Sequence, residues 1–331
     1  METETLKESK RYFSKLGFQL VLIAFAMIAV QLLSSIAVSA IAPGLSENYS
    51  LYFLANMLPL YILGIPAILL LTKSKTVSPA EEHRMSIGQW LIAFCISYSL
   101  MYVSNMIGLW ITQIIGRIKG SAVENVIQEV ALDLNPWAAM LCMVILAPIF
   151  EELVFRKFII DRTAKYGEGT AILVSALSFA LFHGNLNQFA YAFSLGLFWG
   201  FIYLKTRKIK YTICIHMVIN FMGSVLSILL MRSGFIQELS TLSNPDDMNS
   251  VLTLISEHAA GIILYLVYLL LIFIFVITGI VLFFLNRKKM HLSAGEVVIP
   301  KGQRFRTVIL NVGMILNIIF WGVQIITQLF H

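Results

Sequence analysis

Long apolar runs separated by short polar segments set the pattern of this chain. Nine runs lie near residues 17–42, 51–72, 88–116, 137–162, 169–185, 188–204, 209–231, 259–286 and 307–330. A helix of about 20 apolar residues crosses the roughly 30 Å hydrocarbon core of a bilayer. The runs are continuous, as in Ile262–Leu285, rather than alternating. Lipid supplies no partner for a backbone N–H or C=O, so only helices and closed barrels span it, and continuous runs mean helices. The expected fold is therefore all-α, a polytopic transmembrane helical bundle of about nine spans. The fifth and sixth runs are short and share a brief turn, which leaves their boundaries the least defined.

The polar segments divide the chain further. A cytoplasmic N-terminal segment is expected over 1–16, then three helices over 17–116. An outer amphipathic connection follows over 117–136. There Ser121-Ala122-Val123-Glu124 forms a capping-box pattern, and Val123, Val126, Ile127, Val130 and Leu134 recur at near-helical spacing. A second group of helices spans 137–231. The longest outer loop, 232–258, carries Pro245-Asp246-Asp247, and two helices with a basic loop between them fill 259–331. Val38-Ser39-Ala40 has the look of a signal cleavage site, but the apolar run before it exceeds the usual length of about 7–15 residues. An uncleaved first helix is expected. Glu2 and the ending Gln328-Leu329-Phe330-His331 fit no lipidation motif.

Composition agrees and adds orientation. Of 331 residues, 58% are hydrophobic and 13% charged, which excludes an ordinary soluble domain, a disordered chain and a nucleic-acid-binding module. With the N-terminus placed in the cytoplasm and the spans alternating, 21 of the 24 basic residues fall in inside segments. Only Arg117, Lys119 and Arg232 fall outside, so the positive-inside bias favours a cytoplasmic N-terminus. Cys95, Cys142 and Cys214 are scattered in apolar runs and make neither a disulfide framework nor a metal pair.

Against this background five ionisable residues stand out inside the runs: Glu151, Glu152, Arg156, His183 and His216. A charge at the bilayer centre costs about 2.5–3.5 kcal/mol on insertion scales, so such residues are usually partnered and functional. Counting about 1.5 Å per residue from the turns near 163, 168 and 207 places Glu151, His183 and His216 about 12–22 Å deep. They can converge on one polar layer. Glu152 and Arg156 are i,i+4 with the acid first, the favoured orientation for an ion pair. Glu151 points about 100° away from Glu152 and can face a cavity. His216 and Asn220, also i,i+4, can aim two donors at one carbonyl oxygen, as an oxyanion site requires. Phe179, one turn before His183, can wall the cavity. Each residue alone also fits a structural role, as an ion pair, a satisfied core histidine or interhelical glue. The pair Gly196 and Gly200 permits close helix approach.

The order E-E-x-x-x-R (Glu151, Glu152, Arg156), F-x-x-x-H (Phe179, His183) and H-x-x-x-N (His216, Asn220) resembles the CPBP family. That family comprises CAAX prenyl proteases of the second type and bacteriocin-processing or self-immunity proteins, also called Abi. The resemblance covers about residues 136–225. It implies an intramembrane endopeptidase that acts from the cytoplasmic side on a membrane-associated or lipidated peptide or protein. By carry-over, Glu151 activates water with His183 positioning it, Glu152 and Arg156 fix the helix, and His216 and Asn220 hold the oxyanion. The resemblance leaves two chemistries open. One is a glutamate mechanism with no cofactor, which is preferred because the H-E-x-x-H spacing is absent. The other is a zinc metalloprotease with Glu151, His183 and His216 as ligands. It also leaves open a non-proteolytic membrane scaffold with a regulatory or bacteriocin-immunity role in a membrane protein complex. A proton-relay transporter is disfavoured, because no inverted repeat is visible. The expected location is a bacterial plasma membrane, with the lipid bilayer and a peptide or membrane protein substrate as partners and no nucleic acid.

Overall fold

The computed structural model describes residues 2–73, 82–123, 125–232 and 248–330, and every regular element among them is helical. In chain order these are α1 (Glu2–Ile41), α2 (Tyr49–Lys73), α3 (Ile87–Lys119) and α4 (Val126–Asp133). Next come α5 (Pro136–Tyr166), α6 (Glu168–Phe182), α7 (Leu186–Thr206) and α8 (Ile209–Leu230). The last four are α9 (Met248–Glu257), α10 (Ala259–Asn286), α11 (Arg304–Val308) and α12 (Val312–Phe330).

Seven of these, α1, α2, α3, α5, α8, α10 and α12, are long and apolar enough to cross a membrane. The protein is an all-α, polytopic integral membrane bundle. The two short runs form α6, apolar but 15 residues long, and α7, with 21 residues. Large side chains such as Leu22, Leu70, Trp110, Leu270 and Phe273 are exposed, as lipid-facing positions should be.

Helices α5 to α8 form the centre. α6 packs on α7 and α5, and α8 contacts both α5 and α7. α3 lies between α7 and α10, while α1 lies against α2 and α12. The expected close approach at Gly196 is present: a Cβ there would stand 2.8 Å from Ala176 Cα. Gly17 and Gly313 make a second crossing, where α1 and α12 touch backbone to backbone.

Several boundaries differ from the expected ones. α1 begins at Glu2 because its first turns are amphipathic, with Ser9, Phe13 and Leu16 buried and Lys7, Lys10, Arg11 and Lys15 exposed. The expected last span, 307–330, breaks between Val308 and Val312. Asn311 caps the second part, its Oδ1 accepting the Met314 N–H at 3.0 Å. The amphipathic connection does form a helix, α4, but Ala131 and Leu134 are buried in a cluster with Val144 and Ile228. Glu124 of the proposed capping box, the side chains of Val126 and Ile127, and Pro245-Asp246-Asp247 lie outside the described residues.

Candidate active site

Proline shapes the helix that carries the two glutamates. Pro148 has no N–H, and the turns before it, Met140–Leu146, widen so that Ala147 N–H bonds to Cys142 O five residues back. In that register the next donor, for Met143 O, would be the missing N–H of Pro148. Asn220 supplies it instead: its Nδ2 donates to Met143 O at 2.9 Å. Glu151 and Glu152 then end a short α-helical turn, Ala147–Glu152, before a second widened stretch, Leu153–Ile160. There the Ser175 hydroxyl of α6 donates to Phe155 O at 2.7 Å. A third widened stretch, Met222–Leu226, lies just after Asn220, and Tyr268 and Ser227 both donate to Met222 O. Each widened turn thus has a carbonyl satisfied by a side chain, as a lipid environment demands.

The motif residues converge. Arg156 Nε lies 3.2 Å from Glu152 Oε2, and neither side chain has any exposed surface. The expected ion pair is therefore present. The guanidinium also lies over the Phe179 ring, 4.6 Å from its centroid. Glu152 Oε1 faces His216 Nδ1 at 3.2 Å, and His216 Nε2 in turn lies 3.6 Å from Glu151 Oε2. A carboxylate only accepts, so Nδ1–H donates to Glu152 and Nε2 points at Glu151. The His216 ring packs on Trp199 at 4.5 Å between centroids, and Trp199 Nε1 donates to Ser97 Oγ on α3 at 3.0 Å. His183 ends α6. Its Nδ1–H donates to Phe179 O at 2.8 Å, which leaves Nε2 as its free ring nitrogen.

Glu151, His183, His216, Asn220 and Phe179 line one cavity of about 450 Å³. Glu152 and Arg156 stand behind it. Sequence reasoning singled out all seven residues, and it missed the rest of the wall. Tyr61 of α2 and Gln188 and Tyr191 of α7 also line the cavity. These are neutral amphipathic side chains in apolar surroundings and give no sequence signal. Ser175, Trp199 and the Met143 carbonyl are equally silent, although Pro148 inside an apolar run marks the widened turn.

The cavity has a direction. From the level of Trp199 its wall runs to Phe53 near the start of α2, Val130 of α4, and Gly223 and Ser224 of α8. All of these lie toward the α4 end of the bundle. The basic turns around 162–165 and 205–210 lie at the other end, and none of their residues lines it. This runs against the expected access from the basic, cytoplasmic side.

Among the described residues, no three His, Cys, Asp or Glu side chains form a group that could hold a metal ion. His183 holds Nδ1 on the Phe179 carbonyl of its own helix, and His216 lies between the two carboxylates.

Residues 133–222 match the family model of Rce1-like type II CAAX prenyl endopeptidases. The match is to the CPBP/CAAX protease family, as the motifs indicated. The match spans α5 to the first part of α8 and contains all seven motif residues. It supports a CAAX-type intramembrane endopeptidase in general. No curated protein and no solved structure matches the chain.

Proposed function

We propose that this protein hydrolyses a peptide bond of a membrane-associated or lipidated peptide by glutamate-activated water. Glu151 is the general base. It reaches the cavity, while Glu152, on the adjacent face, is sealed behind His216. A water held between Glu151 and His183 Nε2 loses a proton to Glu151 as its oxygen attacks the scissile carbonyl carbon. The resulting oxyanion is met by the second N–H of Asn220, since the first is held by Met143 O, and by an Nε2–H of His216, whose Nδ1–H stays on Glu152. Glu151 then returns the proton to the amide nitrogen as the C–N bond breaks, giving one carboxylic acid and one amine.

Glu152 and Arg156 do not touch the reacting atoms. Glu152 orients His216 as the carboxylate of a catalytic triad orients its histidine. Arg156 pairs with Glu152 and fixes it. The observation that carries this reading is the chain Arg156–Glu152–His216–Glu151, which ends on a carboxylate at the cavity wall.

The charge bias supports a cytoplasmic N-terminus, and with it nine crossings. The α4 end of the cavity then faces the opposite side of the membrane. The test of the chemistry is exhaustive chelation of the purified protein in liposomes. Cleavage that survives chelation and vanishes in Glu151→Gln is expected. Cleavage lost on chelation and restored by zinc alone contradicts the glutamate mechanism.

A further inference from the structure

Beside the crossing of Gly17 and Gly313, α1 and the start of α12 enclose a pocket of about 490 Å³. Four cations of α1 line it: Lys7, Lys10, Arg11 and Lys15. Their helical spacing keeps them on one face. Glu4 and Glu8 stand on the same helix, but neither lines the pocket. Among the described residues, none of the four cations forms an ion pair. Asn311 and Val312 form the facing wall, so the N-terminus of the 19-residue α12 opens onto the same space. The first turn of α12 is fixed there. Ser14 Oγ accepts the Gly313 N–H at 3.1 Å, and Asn311 Oδ1 accepts that of Met314 at 3.0 Å. All of these residues lie outside the matched segment 133–222.

The pocket stands at the basic end of the bundle. Tyr12 donates to Arg162 O at 2.8 Å, and Phe13 packs on Tyr166 with ring centroids 4.8 Å apart. The other end of the pocket is apolar. Phe18 and Val312 line it, with 48% and 62% of their surfaces exposed. Leu22 and Phe25 follow Phe18 at i+4 and i+7, Ile315 and Ile319 follow Val312 at i+3 and i+7, and all four are exposed. Two apolar strips therefore run from the pocket along α1 and α12.

Cations gathered on a concave surface beside a helix N-terminus draw an anion. Basic pockets between transmembrane helices suit lipid headgroups, and lysine and arginine stems reach from apolar surface to headgroup level. A free anion would use only the basic end. A phospholipid uses both ends, its phosphate on the cations and its acyl chain on the exposed strips.

We infer that this pocket binds the phosphate headgroup of one anionic phospholipid, whose chain lies along α1 and α12. Bound there, the lipid ties the first turns of α1 to α12.

Full-length protein in a neutral detergent is titrated with phosphatidylglycerol or phosphatidylcholine, and retained lipid is counted by native mass spectrometry. One phosphatidylglycerol should be held at least about tenfold more tightly than phosphatidylcholine. Lys10→Gln with Arg11→Gln should weaken it about 30-fold, about fivefold for each cation removed. Lys288→Gln with Lys289→Gln is the charge-matched control, since the loop after α10 reaches the same end, where Val297 N–H donates to Lys165 O at 2.9 Å. It should change retention little. All these side chains are exposed. If Lys10→Gln with Arg11→Gln lowers melting in lipid-free detergent, Lys7→Gln with Lys15→Gln takes its place. Equal retention of the two lipids, or equal loss in the pocket and control variants, overturns the site in favour of diffuse surface charge. Displacement of the lipid by millimolar inorganic phosphate, and not by chloride at equal ionic strength, overturns the lipid assignment in favour of a free anion.

Discussion

His216 Nδ1 lies 3.2 Å from Glu152 Oε1, deep in the bundle where Glu152 has no exposed surface. The contact binds α8 to α5 and turns Nε2 of the imidazole toward Glu151. It separates the two neighbouring glutamates into different roles: one holds the histidine and the other faces the cavity. His216→Gln should lower cleavage by about 10²–10³-fold, the range of a lost oxyanion donor. A loss below tenfold in the liposome assay would show that His216 only packs.

The buried pair behind that contact should behave asymmetrically. Arg156→Met leaves Glu152 charged without its partner and should cost about 3–5 kcal/mol of stability. Adding Glu152→Met should return much of it, because an apolar pair replaces an ionic one. Cleavage should stay abolished in the double variant, because His216 has lost its acceptor. Thermal melting alongside the cleavage assay reads both effects. A double variant no more stable than Arg156→Met would contradict this account of the pair.

Pro148 and Asn220 are linked through one carbonyl. Pro148→Ala restores an N–H that can reach Met143 O and compete with Asn220 Nδ2. Melting should be unchanged or raised, since proline inside a helix costs about 3 kcal/mol. Cleavage should fall toward the level of Asn220→Ala, at which an oxyanion donor worth about 10²–10³-fold is lost. A Pro148→Ala protein with full activity would show that the widened turn does not position Asn220.

Much of this was legible in the sequence, for reasons particular residues make plain. Glu152 and Arg156 are one helical turn apart, so local spacing alone gives their pairing. His216 and Asn220 share a face for the same reason. Apolar runs mark spans because lipid admits little else, and α6 and α7 fell within a few residues of their expected ends. What spacing could not give was the partner across helices. That His216 would reach back to Glu152, or Asn220 to Met143, depends on three widened turns whose registers no periodicity reveals. The direction of the cavity was hidden too, since it depends on which halves of α2, α7 and α8 draw apart.

Helix approach at Gly196 can be tested against an open position. Gly196→Ala places a methyl 2.8 Å from Ala176 Cα and should destabilise by about 1–3 kcal/mol through overpacking. Gly322→Ala meets nothing within 4 Å and should be neutral or slightly stabilising. Melting temperatures of the two variants in one detergent decide it, and equal shifts would contradict the close crossing of α6 and α7.

Access to the cavity follows from its direction. In a cysteine-free background, Asn125→Cys should react with a membrane-impermeant maleimide added to intact cells, and Lys7→Cys only in inverted vesicles. The reverse pattern would place the cavity mouth on the basic side.

The central claim, that Glu151 drives hydrolysis of a membrane-bound peptide, is tested most directly in the host cell. Membrane peptides from wild type and a Glu151→Gln strain with equal protein levels are compared by mass spectrometry. The expected result is accumulation of an uncut peptide in the variant, with its two fragments present only in wild type. Identical peptide profiles, with the cellular phenotype of the wild type retained, would contradict it.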